Sequence, residues 1–146
     1  IPQNIQELFG IIPRGTLQMF QSINELVTQG AECQVSCSYI EIYMEEITCL
    51  LSLKEKLKIK EYADGIEVDG KRKVSCKTPE DIFKVISIGT KNKSIGSTNQ
   101  NARSSRSHTL LVIELLTKSL DGTEKKSKLN LIDLAGSEKV HIVNIV

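Results

Sequence analysis

The chain has 146 residues, about one domain's worth. Its 19 lysines and arginines against 18 aspartates and glutamates leave a formal charge of +1, which excludes a dedicated nucleic-acid binder with its strong basic excess. Hydrophobic residues make up 40% and charged residues 25%, and no apolar run approaches the roughly 18–20 residues that span a bilayer, so a soluble α/β protein without membrane insertion is expected.

Residues 1–15 carry Pro2 and Pro13 and read as a connection entering a helix. From Thr16 to Thr28, Leu17, Phe20, Ile23 and Val27 recur at helical spacing, and Gly30 follows as a C-terminal cap, giving a helical unit over 16–30. Cys33–Tyr43 is rich in β-branched and aromatic residues and ends apolar on both faces, as an interior strand does. Glu45–Leu51 is expected as a short helix. Leu57–Tyr62 alternates like a strand. Ile66–Val68 and Lys73–Cys76 are expected to complete a hairpin whose tip is the basic triplet Lys71-Arg72-Lys73, so that 33–76 reads as strands and a basic hairpin. Thr78-Pro79-Glu80-Asp81 predicts a helix start: a capping hydroxyl, a proline in the first turn and an acid three residues after the hydroxyl. That helix should run through Ile82, Val85 and Ile86 to Lys93. A polar segment, Ser94–Ser107, leads into the apolar strand His108–Thr117; Asp121-Gly122 supplies a turn, and the strand Lys128–Asp133 runs into Leu134-Ala135-Gly136-Ser137-Glu138. The pattern is a mixed sheet flanked by helices.

Two segments carry chemistry. A strand ending in Asp133 places a carboxylate at the carboxyl edge of a sheet, where α/β ligands bind, and Gly136 lets a backbone N–H approach a ligand closely. The simpler alternative is that Asp133 caps the next turn. In Asn101-Ala102-Arg103-Ser104-Ser105-Arg106-Ser107-His108, hydroxyls suit Mg²⁺ or phosphate and guanidiniums pair bidentately with phosphate or carboxylate; alternatively the stretch is a solvated or phosphorylated loop. Gly65–Arg72 imitates a phosphate loop, but Arg72 stands where a Mg²⁺-binding hydroxyl belongs, and Glu67 and Asp69 would repel phosphate. It is read as a hairpin instead. The four cysteines, Cys33, Cys37, Cys49 and Cys76, form no C-x-x-C pair and neither histidine lies near one, so buried thiols are expected rather than a zinc site, in a reducing cytoplasmic setting.

Taken together, Asn101-x-x-Ser104-Ser105-Arg106-Ser107-His108, an apolar strand pair and Asp133-Leu134-Ala135-Gly136-Ser137-Glu138 resemble, in order and separation, switch I and switch II of the kinesin motor domain. Gly10-Ile11-Ile12-Pro13-Arg14 resembles the segment opening the helix after that family's phosphate loop. Ser38–Tyr43 with Leu50-Leu51 resembles its central strand and the following short helix, and Thr78-Pro79-Glu80 and Asn99-Gln100-Asn101 fall where kinesins have similar residues. The resemblance covers residues 8–140. It implies part of the kinesin-type P-loop NTPase fold: helix and switch I over 78–107, strand pair and switch II over 108–140, and a divergent tail over 141–146.

The resemblance also implies roles for ATP and Mg²⁺. Ser105 would ligate Mg²⁺ directly and Asp133 through water. Ser104 and Asn101 would contact the γ-phosphate or the attacking water, and the Gly136 N–H would sense the γ-phosphate. Arg106 would pair with Glu138 when the switches close, while His108 packs at the base of the loop. Lys71, Arg72 and Lys73 would face microtubules, whose tubulin surface is acidic, in a cytoplasmic, cytoskeletal protein. No G-x-x-x-x-G-K-S/T occurs in the 146 residues, and His141–Val146 is not the expected glycine-containing continuation. The expectation is therefore a central fragment of a microtubule motor, not catalytically competent by itself; the alternative is a non-catalytic, kinesin-derived protein that binds tubulin or another partner.

Overall fold

The computed structural model describes residues 10–95, 106–134 and 141–145. Helix α1 (Ile11–Thr28) begins ahead of the expected Thr16. Pro13 permits this because it lies in the first turn, where backbone N–H groups have no intrahelical partner to lose. At the other end Gly30 takes φ 95°; its N–H donates to the Val27 carbonyl at 3.0 Å, and the Ala31 N–H donates to Leu26 at 3.1 Å. This is the glycine-dependent helix stop expected at that position.

Strand β1 (Glu32–Tyr43) is the spine of the molecule. It pairs antiparallel along its whole length with β6 (His108–Lys118). On its other edge it pairs with β2 (Glu46–Cys49) and β5 (Val74–Cys76). The sheet continues from β6 through β7 (Glu124–Asp133) to β8 (His141–Ile145), antiparallel throughout. Asp121 accepts a hydrogen bond from the Thr123 N–H at 2.9 Å, and Gly122 at φ 85° completes the turn between β6 and β7.

Two expectations are corrected. Residues 45–51 form no helix: Met44 and Glu45 take φ 51° and 63°, a two-residue reversal that folds β2 straight back onto β1, followed by a turn at Leu50–Ser52. Neither residue is one that ordinarily marks a left-handed turn, so local sequence pointed elsewhere. The second correction concerns the hairpin. β3 (Lys58–Tyr62) pairs with β4 (Gly65–Asp69) around Ala63-Asp64, whereas β5 joins β1. Lys71–Lys73 is therefore the connection between two sheets, not a tip.

Helix α2 (Pro79–Ile95) starts as its sequence dictates. The Asp81 N–H donates to the Thr78 hydroxyl at 3.3 Å, and the Asp81 carboxylate accepts from the Thr78 and Lys77 N–H groups at 3.1 and 2.8 Å. Both helices pack against β1 and against each other. Phe20 and Ile23 of α1, Ile82 and Val85 of α2, and Val35, Cys37, Leu111, Ile113 and Leu131 of the sheet form one buried cluster. Burial pushes the Cys37 thiol up to about 12 and Cys76 up to about 11, so both stay protonated at neutral pH. No described helix is long and apolar enough to cross a membrane.

Candidate functional site

Antiparallel pairing decides where the two motif segments meet. In the register of β6 against β7, Thr109 lies opposite Asp133, so the start of β6 and the end of β7 share one end of the sheet. Arg106 and Ser107, just before β6, and Leu134, just after β7, therefore lie at the same end of the sheet. Ile42 of β1 lies opposite His108, and His141 of β8 lies opposite Asp133, which makes this end four strands wide.

Asp133 and Arg106 are exposed there, and among the described residues neither takes part in an ion pair. His108 is half-buried at the base of β6, and Ser107, immediately before it, is buried. The Ser107 hydroxyl makes no hydrogen bond among the described residues, although buried hydroxyls normally find a partner. Of the described residues at this end, Asp133 offers an exposed carboxylate oxygen of the kind a hard cation such as Mg²⁺ takes, whereas the Ser107 hydroxyl is held away from solvent. Asn101, Ser104, Ser105, Gly136 and Glu138, expected at this site, lie outside the described residues.

A small cavity of about 60 Å³ opens beneath Asp133, lined by Ile11 and Ile12 of α1, by Tyr39 and Thr109, and by Leu111 and Leu131. Tyr39 is the residue that sequence reasoning missed as part of this site. Burial pushes its hydroxyl up from the usual tyrosine range, against the pull of hydrogen bonds with Thr109 and Thr90. It thereby ties α2 to the strand register that sets Asp133. The apolar-aromatic run Ser38–Tyr43 signalled a strand but not which ring faced the motif end.

The basic triplet divides. Lys71 is nearly buried and pairs with Glu67 at 3.3 Å, and Lys73 pairs with Glu114 at 2.9 Å; Arg72 remains exposed. Lys128 reaches both Glu67 (3.4 Å) and Glu114 (3.6 Å), so five charges form a chain from the β3–β4 hairpin to β6 and β7. Burial works against ionisation of Glu67, but Lys71, helped by Lys128 and Lys73, outweighs it and holds the carboxyl below its ordinary value. Residues 65–72, which imitate a phosphate loop, are strand β4, a turn at Gly70 (φ 87°) and the start of the connection to β5. No helix N-terminus is available there to hold an anion.

Comparison with known proteins agrees with this architecture. The family model described as the kinesin motor domain matches residues 3–144. Kinesin-related protein 5 of Dictyostelium discoideum is 48% identical over 141 residues, covering 94% of this chain and 14% of that protein. Kinesin-like protein Klp68D of Drosophila melanogaster is 44% identical over 135 residues, covering 91% of this chain and 17% of that protein. The solved structure of a fast kinesin superposes with a TM-score of 0.81 at 37% identity, covering 90% of this chain and 38% of that one. The chain thus spans less than a fifth of the length of either relative, and its sheet, antiparallel among the described strands rather than mixed as expected, forms with its flanking helices part of a P-loop NTPase fold. Matched from residue 3 to residue 144, with both motif segments leading to one end of the sheet, the chain belongs to the kinesin motor domain family.

Proposed function

We propose that the chain is the nucleotide-sensing middle of a microtubule-based motor, which couples ATP binding and hydrolysis to microtubule binding and movement on the cytoskeleton. The observation that carries this reading is the Thr109–Asp133 pairing, which leads both motif segments to one end of the sheet. In this reading Ser105 and Asp133 hold Mg²⁺, and Ser104 and Asn101 orient the terminal phosphate and the attacking water. The Gly136 N–H donates to the γ-phosphate. Bound Mg²⁺ supplies neutralisation of phosphate charge during transfer. Arg106 closes onto Glu138, excluding bulk water and ordering the nucleophile; loss of the γ-phosphate opens the pair and changes microtubule affinity. Of the basic triplet, Arg72 keeps an exposed guanidinium for docking on tubulin's acidic surface, since Lys71 and Lys73 are engaged by carboxylates.

In the intact motor containing this segment, Arg106→Ala and Glu138→Ala should each lower microtubule-stimulated hydrolysis about 100-fold, while nucleotide affinity falls only about 3-fold. Unchanged stimulated turnover in both variants overturns the assignment. The 146 residues by themselves contain no G-x-x-x-x-G-K-S/T, so they should show no ATP turnover even with microtubules. Robust turnover abolished by Asp133→Ala contradicts that part of the reading.

A further inference from the structure

A groove of about 370 Å³ runs along β5 and the first half of α2. It shares no residue with the Asp133 end of the sheet, and its size falls within the roughly 300–1,000 Å³ typical of ligand sites. Its floor is apolar, formed by Leu51, Val74 and Val85. Asp81, Lys84, Val85 and Ile88 recur at helical spacing, so one face of α2 forms a wall. Val85 on that face is buried in the core, but Ile88 is 50% exposed, an apolar side chain left partly in water.

The rim is cationic. Arg72, Lys77 and Lys84 are all exposed, and among the described residues none forms an ion pair. By contrast Lys60, Lys71, Lys73, Lys126 and Lys128 all do. Asp81 is the one carboxylate of the groove, and its Oδ2 already accepts from the N–H groups of Lys77 and Thr78. The groove therefore carries surplus positive charge above an apolar floor.

A third observation selects the shape of the occupant. β5 pairs with β1 alone, so among the described residues its other edge faces no strand; Ser75 at its centre is exposed, and the Val74 carbonyl accepts a weak 3.5 Å contact from the Cys76 thiol. Such an edge is a template for an added strand. We propose that this groove docks an extended acidic peptide that adds to the free edge of β5. A branched apolar side chain rests on Leu51, Val85 and Ile88, and flanking carboxylates meet Arg72, Lys77 and Lys84. Backbone pairing supplies register, the apolar anchor supplies affinity, and the cationic rim rejects basic sequences.

The test is fluorescence anisotropy with the full chain and a fluorescein-labelled octapeptide of glutamates around a central leucine pair, without nucleotide or microtubules. Saturable binding is expected, weakened about 10-fold by Lys84→Glu with Lys77→Glu and a few-fold by Ile88→Ser. Lys125→Glu, an exposed change on β7, should leave affinity unchanged. Methylating alternate peptide amides should also cost about 10-fold, because it removes the pairing edge. Circular dichroism confirms that each variant stays folded. Equal binding of a lysine-substituted peptide, equal weakening by Lys125→Glu, or undiminished binding of the methylated peptide overturns the proposal. The readout involves no ATP chemistry or microtubules, and its variants at Lys77, Lys84 and Ile88 spare Arg72, the residue shared with the tubulin reading, so failure here and failure of the motor reading are separate events.

Discussion

Thr78 and Asp81 show how much a few residues decide on their own. Each satisfies backbone or side-chain groups of the other across the first turn of α2, a reciprocal arrangement that needs no distant partner. Thr78→Ala should lower stability by about 1 kcal/mol at neutral pH, measured by urea unfolding. The Lys77 N–H is the main cause that holds Asp81 below the usual carboxylate range; burial opposes it, and Thr78 and Lys84 add to the lowering. Because the folded-state value is depressed, the Asp81 contribution is fully present above the ordinary carboxylate value. It is lost as pH falls through the lower, folded value. Asp81→Asn should therefore flatten the pH dependence of the urea midpoint over about pH 2 to 5; an unchanged acid limb in that variant contradicts the cap. Asp133, by contrast, reads locally more simply as a turn cap than as a ligand. Its place opposite Thr109, at the end of the sheet where β6 begins, is what supports the proposed ligand role.

At the scale of elements, periodicity located β1, β6, β7 and both helices, because each must bury a face and its sequence records which one. The misreading at 45–51 arose where that record is weak. β2 is four residues long, and its reversal uses Met44 and Glu45 in a left-handed conformation that neither residue advertises. Packing between elements is equally hidden. Gly89 lies on α2 against the Tyr39 ring, and a Cβ there would sit 3.0 Å from Tyr39 Cδ1 and 3.1 Å from Cγ. Helix propensity alone says that Gly89→Ala gains about 1 kcal/mol. The ring cannot retreat easily, since its hydroxyl is hydrogen-bonded to Thr90 and Thr109, so overpacking of about 2 kcal/mol should win. A net loss near 1 kcal/mol on urea unfolding is expected; a more stable variant shows that the ring is free to move.

For the whole molecule, the β3–β4 hairpin forms its own two-stranded sheet and must be anchored, because isolated hairpins are marginal in water. Part of the anchor is electrostatic: Glu67 on β4 holds Lys71 and reaches Lys128 on β7. Partly exposed pairs of this kind contribute about 0.2–1 kcal/mol each. Glu67→Gln should therefore speed amide exchange in β3 and β4 by about 2–5-fold while leaving β6 unchanged, as read by hydrogen–deuterium exchange. Uniform acceleration across both sheets shows instead that Glu67 supports global stability. The same chain explains why the basic triplet could not be judged from its letters. Three adjacent cations look alike in sequence, yet two are neutralised by carboxylates on other strands and one is left to the groove beside α2.

By itself the sequence determined the α/β class, the start of α2, the glycine stop of α1, the long strands and the family resemblance. All of these depend on residues near one another in the chain, whose spacing is preserved as text. Tertiary structure alone decided that Asp133 meets the end of β6 that follows the polar segment, that Tyr39 lies beneath it, and that β5 leaves β4 to join β1. It also decided which cations of the 71–73 connection are spent. Those outcomes depend on strand register and on pairs separated by tens of residues, where the free energy comes from backbone pairing and burial between partners that local sequence does not name.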